Sequence, residues 1–205
     1  DVVRYPSQTL GVYALICQPQ AAGSFPVHVF NHGGGGGIGE AEYAECLRWA
    51  EAGWVVAMSA YRGEPMLASL GEFDPPEGNL EFCQGEVTDV MRLMEVLDNE
   101  VSKADMSRVL MTGISHGGCI TTRAVQRGAA VQAAVDVFGP ADWTTTYDCT
   151  DPFCDGLRPL LDGAIGGDPA EKPQAYRWRS PGHGDANSKI FAADLGARTL
   201  EGPTP

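Results

Sequence analysis

Ser115 lies in residues 113–117, Gly-Ile-Ser-His-Gly, which match the pattern Gly-x-Ser-x-Gly. The apolar run Val109 to Thr112 precedes this segment, and a helical pattern that extends to about Gly128 follows it. A serine on such a strand-to-helix turn is held in a strained conformation, and its hydroxyl projects from the end of the sheet. The sequence therefore predicts that Ser115 is a nucleophile for acyl transfer; the alternative is an ordinary glycine-rich turn.

His32-Gly33-Gly34-Gly35 follows an earlier apolar run and matches a His-Gly-Gly-Gly turn, whose backbone N–H groups help to form an oxyanion hole. The second donor would be the N–H of His116, the residue after the nucleophile. The alternative, a phosphate-binding loop, is disfavoured because no Gly-Lys-Ser/Thr follows. A dinucleotide-binding loop lacks its downstream acidic residue. We therefore expect the oxyanion donors to be His116 with Gly33 or Gly34.

An acyl-transfer serine needs a histidine base and an acid that orients it, in the order Ser, Asp or Glu, His. Of the histidines at positions 28, 32, 116 and 183, only His183 follows the helix after Ser115. His183 and Asp185 could form a compressed base and acid, although a solvated loop is the favoured interpretation there. Asp142 could be a relocated acid, but capping of the following segment is the simpler prediction.

The elements that position these residues alternate along the chain. Strands are predicted at Val27 to Phe30, Trp54 to Ser59, Val109 to Thr112 and Val131 to Phe138, the last of them as a buried strand. Apolar residues recur at helical spacing in residues 43–50 and again in residues 87–97, which predicts two helices. Gly53 is placed to end the first of them. This order predicts an α/β fold with a mostly parallel sheet and helices on both faces. The first 26 residues are expected to add one or two antiparallel edge strands.

Composition excludes several classes of protein. The chain of 205 residues is 43% hydrophobic and 20% charged, with a formal net charge of −13 and no basic patch. This balance argues against nucleic acid or an anionic membrane as a partner, and no apolar run is long enough for a transmembrane helix. We expect a soluble protein without a cofactor or a metal. Its compartment, cytoplasmic or secreted, and its oligomeric state stay open.

Six cysteines occur, at positions 17, 46, 83, 119, 149 and 154. They are too sparse to indicate a disulfide scaffold, and their spacing does not indicate a zinc site. Buried thiols are expected at Cys46, Cys83 and Cys119. Cys149 and Cys154 bracket a short loop and could close a small disulfide.

Several segments together resemble the catalytic domain of the prolyl oligopeptidase family and related serine esterases of the α/β-hydrolase superfamily. The resemblance covers roughly residues 5–181. It rests on Phe30-Asn31-His32-Gly33-Gly34, Tyr61-Arg62-Gly63, Glu86-x-x-Asp89, Ser107-Arg108-Val109, residues 113–118, residues 133–142, and residues 176–181 (Tyr-Arg-Trp-Arg-Ser-Pro).

The resemblance implies an α/β-hydrolase fold for residues 1–205 as a single domain. Residues 1–142 would form its core, residues 143–181 a region of loops and short helices, and residues 182–205 an atypical tail. In the family the acid and the histidine follow the next two strands, in a His-Gly-x-x-Asp turn and a later loop. We expect the chain to be truncated after the sixth strand region, consistent with a shortened or frame-shifted reading.

The sequence thus predicts a serine hydrolase that cleaves small ester or peptide substrates through an acyl-serine intermediate. The alternative is a catalytically impaired or non-enzymatic hydrolase-like fragment that lacks the usual acid and histidine. A dienelactone-hydrolase-like enzyme would require cysteine at position 115, and dehalogenase or epoxide chemistry would require aspartate, so Ser115 disfavours both.

Overall fold

The fold of residues 1–183 is described by a computed structural model. It contains six strands, six α-helices and two short 3₁₀ turns. The strands are β1 (Val2–Ser7), β2 (Leu10–Cys17), β3 (Phe25–Asn31), β4 (Val55–Ser59), β5 (Ala104–Ile114) and β6 (Ala133–Val137). The helices are α1 (Glu40–Glu51), α2 (Gly85–Glu100), α3 (His116–Gln126), α4 (Trp143–Tyr147), α5 (Pro152–Ile165) and α6 (Pro173–Arg179).

The strands form one sheet in the order β1-β2-β4-β3-β5-β6. β1 pairs antiparallel with β2 and β2 antiparallel with β4, whereas β4, β3, β5 and β6 run parallel. The expected mostly parallel sheet and the antiparallel strands at its start are therefore confirmed. The carboxyl ends of parallel strands lie at the same end of the sheet. Because β3 and β5 are parallel neighbours, the turns that follow them lie side by side.

Helices cover both faces of the sheet, as expected, and β4 shows how the sequence divides between them. Successive side chains of a strand point to opposite faces. Val55 and Ala57 pack into the cluster that includes α2 and α3. Val56 and Met58 pack into the second cluster, which includes α1. All five β4 residues are buried, which explains why the sequence reads as one continuous apolar run.

β6 differs from the prediction of a buried strand. Among residues 1–183 it is an outermost strand of the sheet, and all five of its residues are exposed, including Val135 at 47% and Val137 at 40%. Within residues 1–183 only β5 pairs with it. A run of apolar residues indicates a strand but cannot distinguish an edge position from a central one, and this is why the burial was predicted wrongly.

Residues 143–181 contain more regular structure than the expected loops and short helices. α5 spans 14 residues. Asp151 caps its N-terminus by accepting the Phe153 N–H, and Gly166 follows its end in the left-handed conformation. Pro152 is tolerated at the first turn. The proline and glycine residues of this segment hid α5 from the sequence prediction, although Asp151 and Gly166 are typical residues for the two ends of a helix.

The cysteines form three disulfides, Cys17–Cys46, Cys83–Cys119 and Cys149–Cys154. The Cα atoms of each pair lie 5.8–6.1 Å apart, within the usual range for a disulfide. The expectation of buried thiols at positions 46, 83 and 119 is therefore wrong, and the open alternative at 149 and 154 is resolved as a disulfide. Pairing partners from different elements meet only in the fold, so spacing along the chain could not reveal them.

Candidate active site

Ser115 occupies the turn between β5 and α3. Its backbone has φ 54° and ψ −122°, a conformation that L-residues rarely adopt. Its N–H donates to the Val137 carbonyl at 2.9 Å, which ties the turn to β6. The side chain is partly exposed. The strained strand-to-helix turn predicted from the sequence is therefore present.

The glycines around Ser115 are required by close backbone approach. A Cβ on Gly117 would overlap the Asn31 carbonyl oxygen at the end of β3. A Cβ on Gly113 would overlap the Gly117 carbonyl oxygen and the Thr121 hydroxyl. Only glycine lets the turn fold this tightly against the neighbouring strand.

The glycine turn after β3 lies next to Ser115, as predicted. A Cβ placed on Gly33 would be 3.8 Å from the Ser115 Cβ, and one on Gly34 would be 3.0 Å from His116 Nδ1. His116 is the first residue of α3, so its N–H belongs to the group that has no partner within the helix. The structure thus brings Ser115, His116, Gly33 and Gly34 together.

The His116 ring is held in place as a neutral imidazole. The Cys83 N–H donates to its Nε2 at 3.1 Å, and the residue is 3% exposed. Burial lowers the pKa of His116 to about 3. Since Nε2 accepts the Cys83 N–H and the ring is buried and neutral, the His116 side chain is not placed to act as a base.

The loop that carries Cys83 is held by the Glu86 carboxylate at the start of α2. Phe82 and Cys83 both have positive φ, and the N–H groups of Glu81, Phe82 and Gln84 donate to Glu86. Glu86 is fully buried, and burial raises its pKa to about 7. The carboxyl group that supports the His116 contact therefore changes its protonation near neutral pH.

Replacing Glu86 by glutamine is expected to make stability less dependent on pH. Because the folded state favours the protonated carboxyl, its contribution is fully present below about pH 4.5 and is lost as the pH rises through about 7. The difference in unfolding free energy between the wild type and Glu86→Gln should therefore change by about 3 kcal/mol over this interval. Urea unfolding of both proteins between pH 4.5 and 8 measures it. A difference that stays constant across this range would contradict the shifted pKa.

His183 and Asp142 pair with each other rather than with Ser115. His183 Nε2 lies 2.9 Å from Asp142 Oδ2, and both side chains are partly exposed. Asp142 also caps α4 through the Thr144 and Thr145 N–H groups, so the predicted capping role is present. Partial burial opposes ionisation, but these hydrogen bonds hold the pKa of Asp142 below its usual value. Asp185 lies outside the described residues.

The other two histidines are also engaged away from Ser115. His28 Nε2 is hydrogen-bonded to the Thr112 hydroxyl at 2.8 Å. The His32 ring is hydrogen-bonded to the carbonyl oxygens of Gly33 and Ser59. Within residues 1–183, therefore, no histidine is hydrogen-bonded to Ser115.

Ser115 is one of the residues that line a cavity of about 890 Å³, and the walls of this cavity are mostly apolar. No side chain of Asp, Glu, Lys or Arg is among the described residues that line it, and its one imidazole is the neutral His116. Neither His183 nor Asp142 lines it. The wall includes Leu80, Phe82, Phe138, Trp143, Phe153, Leu157 and Leu160 together with the Cys149–Cys154 disulfide.

Sequence reasoning missed this wall. α4 and α5 supply most of it, and Phe138, Phe153 and Leu160 are strongly exposed at 73%, 71% and 58%. The available signal was the group of large apolar residues in a segment otherwise rich in Asp, Pro and Gly. A contiguous group of exposed apolar residues is typical of a ligand-binding groove or a contact surface.

Two other kinds of site are not found. In residues 1–183, no helix is both long and apolar enough to cross a bilayer. The same part of the chain contains no group of three or more His, Cys, Asp or Glu side chains that could hold a metal ion.

Comparison with known proteins connects this geometry to a family. Residues 40–193 match the sequence profile of the prolyl oligopeptidase family. The uncharacterized peptidase YtmA of Bacillus subtilis (strain 168) is 26% identical over 178 residues. That alignment covers 86% of this chain and 64% of YtmA, so the chain spans less than two thirds of that relative.

Solved structures show the same architecture. An acylaminoacyl peptidase of Pyrococcus horikoshii superposes with a TM-score of 0.67 at 24% identity, over 89% of this chain and 29% of that one. A puromycin-hydrolyzing peptidase of Mycobacterium tuberculosis gives 0.67 at 22% identity, over 89% and 28%. At this identity the likeness establishes the fold, which is that of the α/β-hydrolases.

Proposed function

The chain belongs to the prolyl oligopeptidase family, and from that premise we propose that it is a serine hydrolase that cleaves ester or peptide bonds through an acyl-serine intermediate at Ser115. One observation carries the proposal. The strained Ser115 stands beside the Gly33–Gly34 turn and the first N–H of α3, at the mouth of an apolar cavity.

These positions support the following reaction. Ser115 Oγ attacks the substrate carbonyl carbon, and the oxygen of the tetrahedral intermediate accepts hydrogen bonds from the His116 N–H and the N–H of Gly33 or Gly34. Each such donor contributes about 3 kcal/mol to the transition state. The C–O or C–N bond of the intermediate then breaks, and the leaving alcohol or amine takes the proton that Ser115 lost. Water attacks the acyl-serine, which releases the acid and restores the Ser115 hydroxyl.

The proton of Ser115 needs an acceptor. Among residues 1–183, His183 is the histidine paired with a carboxylate, so His183 oriented by Asp142 is the candidate base in this part of the chain. The earlier pairing of His183 with Asp185 stays a prediction. His183 is hydrogen-bonded to Asp142 and not to Ser115, so either arrangement requires His183 to approach Ser115.

We propose that the cavity binds the acyl side of the substrate, for which its apolar wall favours a neutral, bulky group. A charged group would lose its hydration there without gaining an ionic partner from the described wall. The relatives named as peptidases support a peptide substrate, and the apolar wall is equally suited to an ester. We propose uncharged acyl or peptidyl groups as the substrate class.

We expect p-nitrophenyl hexanoate to be cleaved faster than p-nitrophenyl butyrate. Two further methylene groups, each worth about 0.8 kcal/mol on burial, should raise kcat/KM about tenfold. The half-ester of a dicarboxylic acid with the same chain length is the matched control, since its carboxylate should abolish the gain. Equal kcat/KM values for all three esters would contradict an apolar acyl pocket.

Covalent labelling by a fluorophosphonate tests the function itself. Intact-mass spectrometry of the folded wild-type protein should show one adduct, and peptide mapping should place it on Ser115. A folded sample that gains no adduct, or gains the same adduct when Ser115 is alanine, would refute the proposal.

A second candidate is a hydrolase-like protein that binds ligands without turning them over. The observation in its favour is that no histidine of residues 1–183 is hydrogen-bonded to Ser115. Turnover of a p-nitrophenyl ester that is abolished by Ser115→Ala or by His183→Ala would remove this candidate.

A further inference from the structure

Glu64 sits inside the polyglycine turn that follows β3. Its carboxylate accepts hydrogen bonds from three consecutive backbone N–H groups: Gly35 at 3.3 Å, Gly36 at 3.1 Å and Gly37 at 2.6 Å. The residue is 5% exposed. Successive N–H groups that converge in this way form an anion-binding nest, and here the anion belongs to the protein itself.

Further contacts fasten the same two segments on either side of this nest. The Ile38 N–H donates to the Pro65 carbonyl oxygen at 3.0 Å, and a Cβ on Gly37 would overlap that oxygen. On the other side, the Tyr61 ring stacks on His32 with 4.1 Å between ring centroids. The turn is thus docked from His32 to Ile38 against residues 61–65.

The N–H groups of the turn fall into two sets, those that donate to Glu64 and those that do not. Those of Gly35, Gly36 and Gly37 are engaged by Glu64, so Gly33 and Gly34 are left as the candidates that face Ser115. Glycine has the greatest backbone freedom of any residue, and five in succession have no intrinsic preference for one conformation. Charge-assisted hydrogen bonds to a buried carboxylate supply the constraint that the glycines lack.

We propose that Glu64 is a positioning residue, which anchors Gly35–Gly37 so that the preceding N–H groups point at the oxyanion formed during attack by Ser115. The inference rests on the proposed serine hydrolase function. Glu64 does not itself line the cavity, and its hydrogen bonds reach the site through Gly35–Gly37, of which Gly35 lines the cavity. Its effect is therefore exerted through the backbone of Gly33 and Gly34.

A positioning role predicts a particular kinetic signature. Oxyanion donors stabilise the transition state more than the bound substrate, so a misplaced donor lowers kcat and leaves KM nearly unchanged. Loss of one well-placed donor lowers kcat about 100-fold or more in acyl-transfer enzymes. A displaced donor should cost less, and we expect kcat to fall about 10- to 100-fold in Glu64→Ala with KM within about threefold.

The experiment compares Glu64→Ala, Glu64→Gln and the control Glu77→Gln. Glu77 also accepts a backbone N–H, from Gly11 at 2.9 Å, but it lies outside the site. Hydrogen exchange of the peptide covering residues 32–39 reports the anchor, and kcat and KM for a p-nitrophenyl ester report its effect. Exchange of that peptide should rise about tenfold in Glu64→Ala and less in Glu64→Gln, whose amide oxygen still accepts. Glu77→Gln should match the wild type in both readouts.

Three results separate the possibilities. Unchanged exchange in residues 32–39 for both Glu64 variants would overturn the anchor. Faster exchange with an unchanged kcat, in an active enzyme, would overturn the positioning role. A wild type that neither labels with fluorophosphonate nor turns over ester would instead refute the proposed function, and exchange alone would then decide whether Glu64 holds the turn. If Glu64→Ala fails to fold, Glu64→Gln carries the same comparison.

Discussion

Replacing Ser115 by alanine is expected to lower kcat/KM for ester hydrolysis by at least about 1,000-fold. The variant removes the atom that would form the acyl-enzyme, while the oxyanion donors of His116 and the glycine turn remain. Enzymes of this kind that lose the nucleophile keep a residual rate from their oxyanion hole and binding site alone. Steady-state hydrolysis of a p-nitrophenyl ester by both proteins measures the ratio.

The matched control for this substitution is Ser69→Ala. Ser69 is exposed, and its hydroxyl donates to Glu40 at a point outside the cavity. It should retain wild-type kcat/KM. Equal turnover by Ser115→Ala and the wild type would mean that the observed activity does not arise at the strained turn, and the assignment of the site would fail.

Replacing Asp89 by asparagine is expected to destabilise the protein by about 3–5 kcal/mol. Asp89 is fully buried in α2 and accepts hydrogen bonds from the backbone N–H and the side chain of Arg62, at 2.8–3.0 Å, and from the Ser7 hydroxyl at 2.6 Å. Asparagine removes the negative charge, and among residues 1–183 it leaves the Arg62 guanidinium, itself 4% exposed, with the partly exposed Glu81 as its ionic partner. Urea unfolding at neutral pH measures the loss.

Two further variants show whether charge burial is the cause. In Arg62→Met with Asp89→Leu, both charges are gone, so much of the stability lost in Asp89→Asn should return. Glu95→Gln breaks the exposed Arg92–Glu95 pair and should cost less than about 0.5 kcal/mol. An Asp89→Asn protein as stable as Glu95→Gln would show that the buried pair adds nothing to stability.

Much of the fold follows from local patterns. β4 and β5 were predicted from continuous apolar runs, and α1 and α2 from helical spacing, and the structure contains all four. Their order along the chain was enough to predict a mostly parallel sheet. The exposed β6 and the long α5 were not predicted, because the first depends on which strand lies beside it and the second contains residues that usually interrupt helices.

The candidate site divides in a similar way. Ser115 and the Gly33–Gly34 turn were found from motifs, and the structure brings them together. Their roles in catalysis stay predictions. The apolar wall from α4 and α5 was missed, since its residues come from a segment without clear periodicity. His183 was singled out from its position in the chain, but its partner within residues 1–183 is Asp142.

By itself, the sequence determined where the chain must bend sharply. The glycines at positions 113 and 117 are visible in the sequence itself. They are needed because a side chain at either position would overlap the backbone next to Ser115. Only the tertiary structure decided which cysteines pair with Cys17 and Cys83, because the partners lie 29 and 36 residues further along the chain. It also decided that Glu64 binds the N–H of Gly37, 27 residues before it. Disulfides and hydrogen bonds act over a few ångströms, so pairs from distant segments exist only once the sheet has brought those segments together.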